Sequence, residues 1–420
     1  MKPASLVRTL CLVTVAALST RAENFALKDG DRVVFYGDSI TDQRLYTTFT
    51  ETYVVTRFPK LDVSFVHSGW GGDRVTGGGG GPIDVRLRRD VFAYKPTVMT
   101  IMLGMNDGSY RAFDERIFET YAKGYQHIID SVKETLPGIR VTVIEPSPFD
   151  DVTQPPRFEG GYNAVLVRYS QFVKQLADKE KLGVADLNAP VVAALEKAKA
   201  TDADLAKKII PDRVHPGPGG HLLMAAELLK SWHAPALVSA VEIDVRSKKA
   251  ADARRTTVSE LKTGEEISWT QLDEALPMPV DLSDPVVALA LKSSDFLQAL
   301  DQQTLKVTGL NAGTFRLKID DDEVGSFTRE QLAEGINLAT LPTPMAKQAA
   351  EVHKLTLQHN NIHFQRWRQI QVPLADGKSP RVQKAARDLM TAMDEDEADV
   401  VKEQRAAAQP NRHRFQLAAK

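Results

Sequence analysis

Short apolar runs alternate with longer amphipathic stretches from residue 31 to about residue 231 of this 420-residue chain. The runs Val33–Tyr36, Val63–Val66, Val98–Leu103, Val141–Ile144 and Leu182–Leu187 read as buried strands. Between residues 114 and 135, Ile117, Tyr121, Tyr125, Ile128 and Val132 recur at helical spacing and place one apolar stripe on one face. Strands with interleaved helices predict an α/β fold, a three-layer α/β/α domain around a five-stranded parallel sheet. Its last helix is expected at about 219–231, after the Pro/Gly cluster Pro211–Gly220.

Beyond about residue 245 the pattern changes. Residues 304–327 alternate apolar and polar side chains between Gly- and Asn-containing turns, so a smaller β-rich module is expected at 246–345. Residues 346–420 read as a helical segment, with helices at 346–372 and 380–407 split by Pro373 and the Asp376-Gly377 turn. The acidic run Asp394–Asp399 reads as a solvated helix face.

Composition narrows the possibilities. The apolar fraction of 43% supports real cores, and 420 residues suffice for two to three domains at roughly 150 residues each. Lys+Arg 53 against Asp+Glu 55, without basic blocks interleaved with aromatics, argue against a nucleic-acid partner. Cys11 is the single cysteine, which excludes an intrachain disulfide and a thiolate metal cluster. It lies in a segment expected to be removed: Lys2 and Arg8 precede the apolar run Leu10–Leu18, and Thr20 and Ala22 are the small residues a signal peptidase requires. Residues 1–22 are thus read as a secretory signal cut after Ala22, residues 23–245 as the α/β domain, and the mature protein as periplasmic or secreted. The run Leu10–Leu18 is too short to cross about 30 Å of hydrocarbon, and no later stretch approaches that length. Loss of Lys2, Arg8 and Arg21 takes the net charge from −2 to −5.

The candidate chemistry lies where strands end. Val33–Tyr36 runs into Gly37-Asp38-Ser39-Ile40-Thr41-Asp42, which puts the Ser39 hydroxyl at the sheet rim and its N–H at the positive end of a helix. The second run ends in His67-Ser68-Gly69-Trp70-Gly71-Gly72-Asp73 and the third in Gly104-Met105-Asn106-Asp107. An unhindered glycine N–H and an Asn amide are donors of the kind that stabilise an oxyanion. In a parallel sheet these three polar turns share one edge, where ligands bind. Pro211-Asp212-Arg213-Val214-His215-Pro216 precedes the last helix. Pro216 biases His215 toward loop, and Asp212 can turn its carboxylate onto the imidazole.

Gly37-Asp38-Ser39, Gly72 in its turn, Gly104–Asp107 and Asp212–His215 resemble, in order and spacing, the four blocks of the SGNH (GDSL) hydrolases. The resemblance implies Ser39 as nucleophile, His215 as base, Asp212 as its partner, and an oxyanion hole of the Ser39 and Gly72 N–H groups with the Asn106 side chain. His67 stands where many relatives have Asn. No G-x-S-x-G elbow surrounds Ser39, which disfavours an α/β-hydrolase lipase. The implied protein is a secreted serine esterase requiring neither metal nor organic cofactor, with a small-molecule or polysaccharide ester as substrate. A carbohydrate O-acetylesterase is the first expectation. A lysophospholipase or thioesterase acting on lipid-like esters and a catalytically idle glycan-binding protein stand as alternatives.

Other features have simpler readings. Gly77–Gly81 lacks the Lys-Ser/Thr of a phosphate loop, and a mobile loop at the site mouth is expected. Trp70 and Tyr46 are candidates for an aromatic sugar platform or for core. His359 and His363 are one helical turn apart but lack the glutamate of H-E-x-x-H. Asp320–Glu323 is read as a hairpin turn, and Asp186 and Asn188 as helix caps.

Overall fold

The computed structural model describes residues 25–311, 313–374 and 379–420. The expected signal segment and the Asp376-Gly377 turn lie outside the described residues. The five apolar runs form β1 (Arg32–Gly37), β2 (Ser64–Gly69), β3 (Val98–Met102), β4 (Arg140–Ile144) and β5 (Gly183–Ala185). They make one parallel sheet in the order β2-β1-β3-β4-β5. Only Arg32 of β1 is exposed, as expected of a central strand covered on both faces. Phe35 turns toward Tyr46 and Trp232, whereas Tyr36 turns toward Arg86. Because successive side chains point to opposite faces, the helices Leu45–Arg57 and Ile83–Asp90 cover opposite faces, which makes the three layers.

Register places the site. Gly37 of β1 is level with Gly69 of β2 and Met102 of β3, so the three polar turns leave the sheet side by side. The approach is close: a side-chain carbon on Gly69 would come within 2.2 Å of the Asp42 backbone nitrogen, so only glycine lets β2 pass the helix that begins at Ser39.

The second part of the chain crosses the divisions expected from its sequence. Leu237–Asp244, inside the expected 23–245 domain, pairs in parallel with Gln302–Thr308 in a four-stranded sheet. Helices Pro285–Lys292 and Phe296–Leu300 carry Val287, Leu291 and Phe296 into the core of the first domain. Most unexpectedly, Arg412–Ala419 is a strand, although 346–420 reads as helical. It pairs with Glu266–Asp273 on one side and Thr314–Ile319 on the other, and its Phe415 stacks on Trp269 at 5.0 Å. Its alternation is short and carries four basic or polar positions, Arg412, His413, Arg414 and Gln416, so its partners, not its pattern, make it a strand.

The helices Pro344–Phe364 and Pro380–Ala407 pack together and return to the first domain. Pro344–Phe364 lies along Leu45–Arg57, where Asn360 donates to Thr48 and His359 meets Glu51. After Phe364 the backbone widens into a π-helical turn, Gln365–Gln371. Within Asp394–Asp399 most residues are exposed, but Glu397 turns inward toward His359. Asp320 sits in the turn of the hairpin Thr314–Ile319/Asp322–Thr328 and accepts from His413 and the Arg414 N–H. Among the described residues, no helix is long and apolar enough to cross a membrane.

Candidate active site

Ser39 opens the helix Ser39–Asp42 directly after β1. Asp38, not Ser39, is the cap: its buried carboxyl accepts the Ile40 N–H at 3.0 Å. Burial raises the Asp38 carboxyl to about 7 despite that hydrogen bond. The Ser39 hydroxyl is therefore free for another partner, and it finds one from the far end of the domain. His215 Nε2 lies 2.8 Å from Ser39 Oγ, and His215 Nδ1 lies 2.7 Å from Asp212 Oδ2.

The local sequence builds the Asp212–His215 pair. Asp212 Oδ1 accepts the backbone N–H groups of Val214 and His215, a tight turn that swings Oδ2 under the ring. Partial burial would raise the Asp212 carboxyl, but the His215 backbone and side-chain hydrogen bonds, with that from Val214, hold it below its ordinary value. With Nδ1 donating to a carboxylate, Nε2 carries the lone pair that faces Ser39. The site is open, the His215 side chain being 36% exposed and that of Asp212 56%.

Gly72 lies in the exposed turn after β2. Its neighbour Gly71 donates to Asp42 Oδ2 at 3.1 Å, and a side-chain carbon on Gly71 would be 4.0 Å from the Ser39 Cβ. The turn thus rests against the serine. Asn106 follows β3 and is almost buried; its Oδ1 accepts from the Tyr110 hydroxyl at 2.9 Å and its Nδ2 donates to the Asp73 carbonyl at 3.1 Å. The Asp73 carbonyl, which can only accept, fixes which end of the amide is nitrogen, and the phenol then donates to the oxygen. One of the two Nδ2 hydrogens remains for a ligand. Ser39, Gly72, Asn106, Asp212 and His215, chosen from four separate blocks, are gathered at one sheet edge.

Residues 35–223 match the model of the GDSL-like Lipase/Acylhydrolase family. Residues 35–223 of this chain belong to that family. The GDSL domain is 26% identical over 226 residues to an acetylxylan esterase of Geobacillus stearothermophilus, spanning 48% of this chain and 93% of that protein. Along nearly the whole chain, the protein resembles a solved structure described as a gut microbial diltiazem-metabolizing enzyme. Identity there is 28% and the TM-score 0.80, covering 94% of this chain and 98% of the other. The chain is thus a serine esterase of the GDSL class, and its likeness to a solved structure extends beyond the family domain into the second part.

Other candidates settle differently. Tyr46 is buried and bonded to Thr41, so it is core. Trp70 is partly exposed, but Arg368 lies 3.5 Å over its ring and Trp367 meets it edge-on. Gly77–Gly81, expected as a mobile loop, forms a tight two-residue ladder against Trp70 and Arg86. A side-chain carbon on Gly80 would be 2.6 Å from Arg86 Cδ, which is why the run tolerates nothing larger there. His67 is buried and held between Thr47 and Glu51. His359 and His363 face Glu51 and Glu397. Asp186 accepts the Asn188 and Ala189 N–H groups as a cap, whereas Asn188 instead bonds Pro146 and Asn163.

Sequence reasoning missed Tyr110 and His221. Tyr110 stands four residues after Asn106, a spacing that one turn of chain makes a contact. His221, buried, accepts the Tyr46 N–H on Nδ1 and so donates from Nε2 to Gln43 Oε1, which braces the loop after the Ser39 helix. Burial holds its imidazole down at about 3, hence neutral.

Proposed function

We propose that this GDSL esterase is exported and removes short acyl groups, foremost acetate, from polysaccharide esters through an acyl-enzyme on Ser39. The observation that carries the chemistry is the continuous chain from Ser39 Oγ to His215 at 2.8 Å and from His215 to Asp212 at 2.7 Å. His215 takes the serine proton at Nε2 while Oγ attacks the acyl carbonyl. Asp212 keeps the ring in the required tautomer and stabilises the imidazolium that forms. The carbonyl oxygen, as it gains charge, is met by the Ser39 and Gly72 N–H groups and by Asn106 Nδ2. Collapse expels the alcohol with the proton from His215. Water, deprotonated by the same ring, then releases the acid.

Two features support a short acyl group on a bulky alcohol. His215, Asp212 and Tyr110 are all substantially exposed, so a chain-like alcohol has room to approach. The roomy apolar cavity, about 680 Å³, is lined by Leu45, Phe49, Leu222, Val280 and Leu341 among others, and by none of the five site residues. The acetylxylan esterase relative supports the same reading. A second reading, a small-molecule ester as substrate, is supported by the whole-chain likeness to the diltiazem-metabolizing enzyme. Export rests on the basic, apolar and small-residue pattern of residues 1–22.

The test is acetate release from acetylated xylan, pectin and rhamnogalacturonan by protein beginning at Glu23, beside Ser39→Ala. Serine-dependent release supports the polysaccharide reading. Release from small aryl acetates alone favours the second reading, and a preference for acyl chains of eight or more carbons rejects both in favour of lipid-like esters. Failure of a fluorophosphonate to label Ser39 would remove the acyl-enzyme.

A further inference from the structure

We infer that Arg368, from the π-helical turn of the second part of the chain, is a positioning residue for the oxyanion turn of the GDSL domain. The inference rests on the proposed acyl-enzyme chemistry. One nitrogen of Arg368, Nη2, donates to Asp42 Oδ1 at 2.7 Å and to the Gly69 carbonyl at 3.1 Å. The other Asp42 oxygen, Oδ2, accepts the Gly71 N–H. Arg368 therefore ties the last residue of β2 to the last residue of the serine helix, and Asp42 passes that tie on to the turn that carries Gly72. The Ser39 and Gly72 N–H groups come from these two elements, so their separation is set by this bridge.

The bridge is anchored on its own side. Arg368 is stacked 3.5 Å over Trp70, which immediately precedes Gly71, and Trp367 beside it is buried, with Nε1 donating to Asp90 at 2.6 Å. The π turn brings both neighbours to the seam, Trp367 into the Asp90 network and Arg368 onto Trp70 and Asp42. Widened turns of this kind are frequent at functional sites. A planar guanidinium suits the task, since it bonds a carboxylate and a carbonyl while its face covers an indole. Residue 368 lies beyond the 35–223 stretch shared with the family, so this chain completes its oxyanion turn with a residue from outside the family domain.

The experiment is steady-state hydrolysis of p-nitrophenyl acetate by the full chain and by Arg368→Ala, Arg368→Lys and Asp42→Asn, with melting temperatures measured in parallel. Because displacing a catalytic group by a fraction of an ångström to 1 Å can cost up to about 100-fold, Arg368→Ala is expected to lower kcat by about 10-fold to 100-fold with KM within about twofold. Millimolar guanidinium should restore part of that loss, and Arg368→Lys should fall between, since one amine can reach Asp42 but cannot cover Trp70. Asp42→Asn, whose amide oxygen cannot serve Gly71 and Arg368 together, should lose kcat alike, and the double variant should lose little more. A folded Arg368→Ala with kcat within about twofold of wild type overturns the inference. So does a loss that follows the melting temperature and resists guanidinium. If Arg368→Ala does not fold, Asp42→Asn with unchanged kcat overturns it equally. Wild type that neither hydrolyses the ester nor is labelled at Ser39 overturns the acyl-enzyme reading itself, a different result from an active wild type with an indifferent Arg368.

Discussion

Glu51, on the helix Leu45–Arg57 after Ser39, meets His359 of the helix Pro344–Phe364 at 2.5 Å with both side chains 3% exposed. Burial would push the Glu51 carboxyl up, but the His359 charge and hydrogen bonds from His359 and His67 hold it well below its ordinary value. Burial likewise opposes charge on His359, yet Glu51 and Glu397 hold the imidazole well above its ordinary value. The pair is therefore ionised at neutral pH and joins the two parts of the chain across the seam near Arg368.

Its pH dependence follows from these directions. Glu51, lowered, contributes stability that is present above its ordinary 4.5 and lost as pH falls. His359, raised, contributes stability fully present below 6.5 and lost as pH climbs through its raised native value. Glu51→Gln, which leaves the buried imidazole with only the more distant Glu397, should cost about 3–5 kcal/mol. Denaturant melts across pH should show that cost largest between 4.5 and 6.5 and shrinking toward alkaline pH. A cost that grew with pH would contradict the ionised pair.

Asp107 behaves oppositely. One carboxyl oxygen accepts the Val75 N–H, the other has no hydrogen-bond partner among the described residues, and burial raises the group to about 7. A raised carboxyl stabilises the fold while protonated, and that stability is lost as pH rises through about 7. Asp107→Asn should therefore gain on wild type by on the order of 2 kcal/mol between pH 5 and pH 9. Parallel melting curves at the two pH values are the check, and an unchanged difference refutes it.

The amide of Asn106 should carry an oxyanion bond. Asn106→Ala is expected to lower kcat by ~10²–10³ with the fold intact. Tyr110→Phe, which removes only the hydroxyl that orients the amide, should cost about 10-fold or less. Equal losses, or none for Asn106→Ala, would take the amide out of that role.

His215→Ala should lower kcat more than Asp212→Ala, by about 10-fold to 100-fold, because the base is lost outright in one case and only its orienting partner in the other. Single-turnover acylation of each variant measures this directly. Reversal would mean that Asp212 acts on more than His215.

The catalytic blocks were legible in the sequence because each is local. A serine after a buried strand, a glycine turn after the next, an asparagine after the third and an Asp three residues before a His need only the chain around them. Parallel pairing then puts every strand end on one edge, so Gly37, Gly69 and Met102 align without further information. The short acidic turn Asp212–His215 likewise closes on itself.

What the amino-acid sequence alone determined was therefore the parallel sheet, the order of its blocks and, through their resemblance to the SGNH (GDSL) hydrolases, the five candidate residues at its edge. The tertiary structure alone decided which distant groups complete them: Arg368 on Asp42, His359 on Glu51, and Arg412–Ala419 as an inner strand. The physical reason is separation. Periodicity reports which face of an element is buried, but the partner of a buried charge or the neighbour of a short strand depends on how elements hundreds of residues apart pack, and no local spacing encodes that.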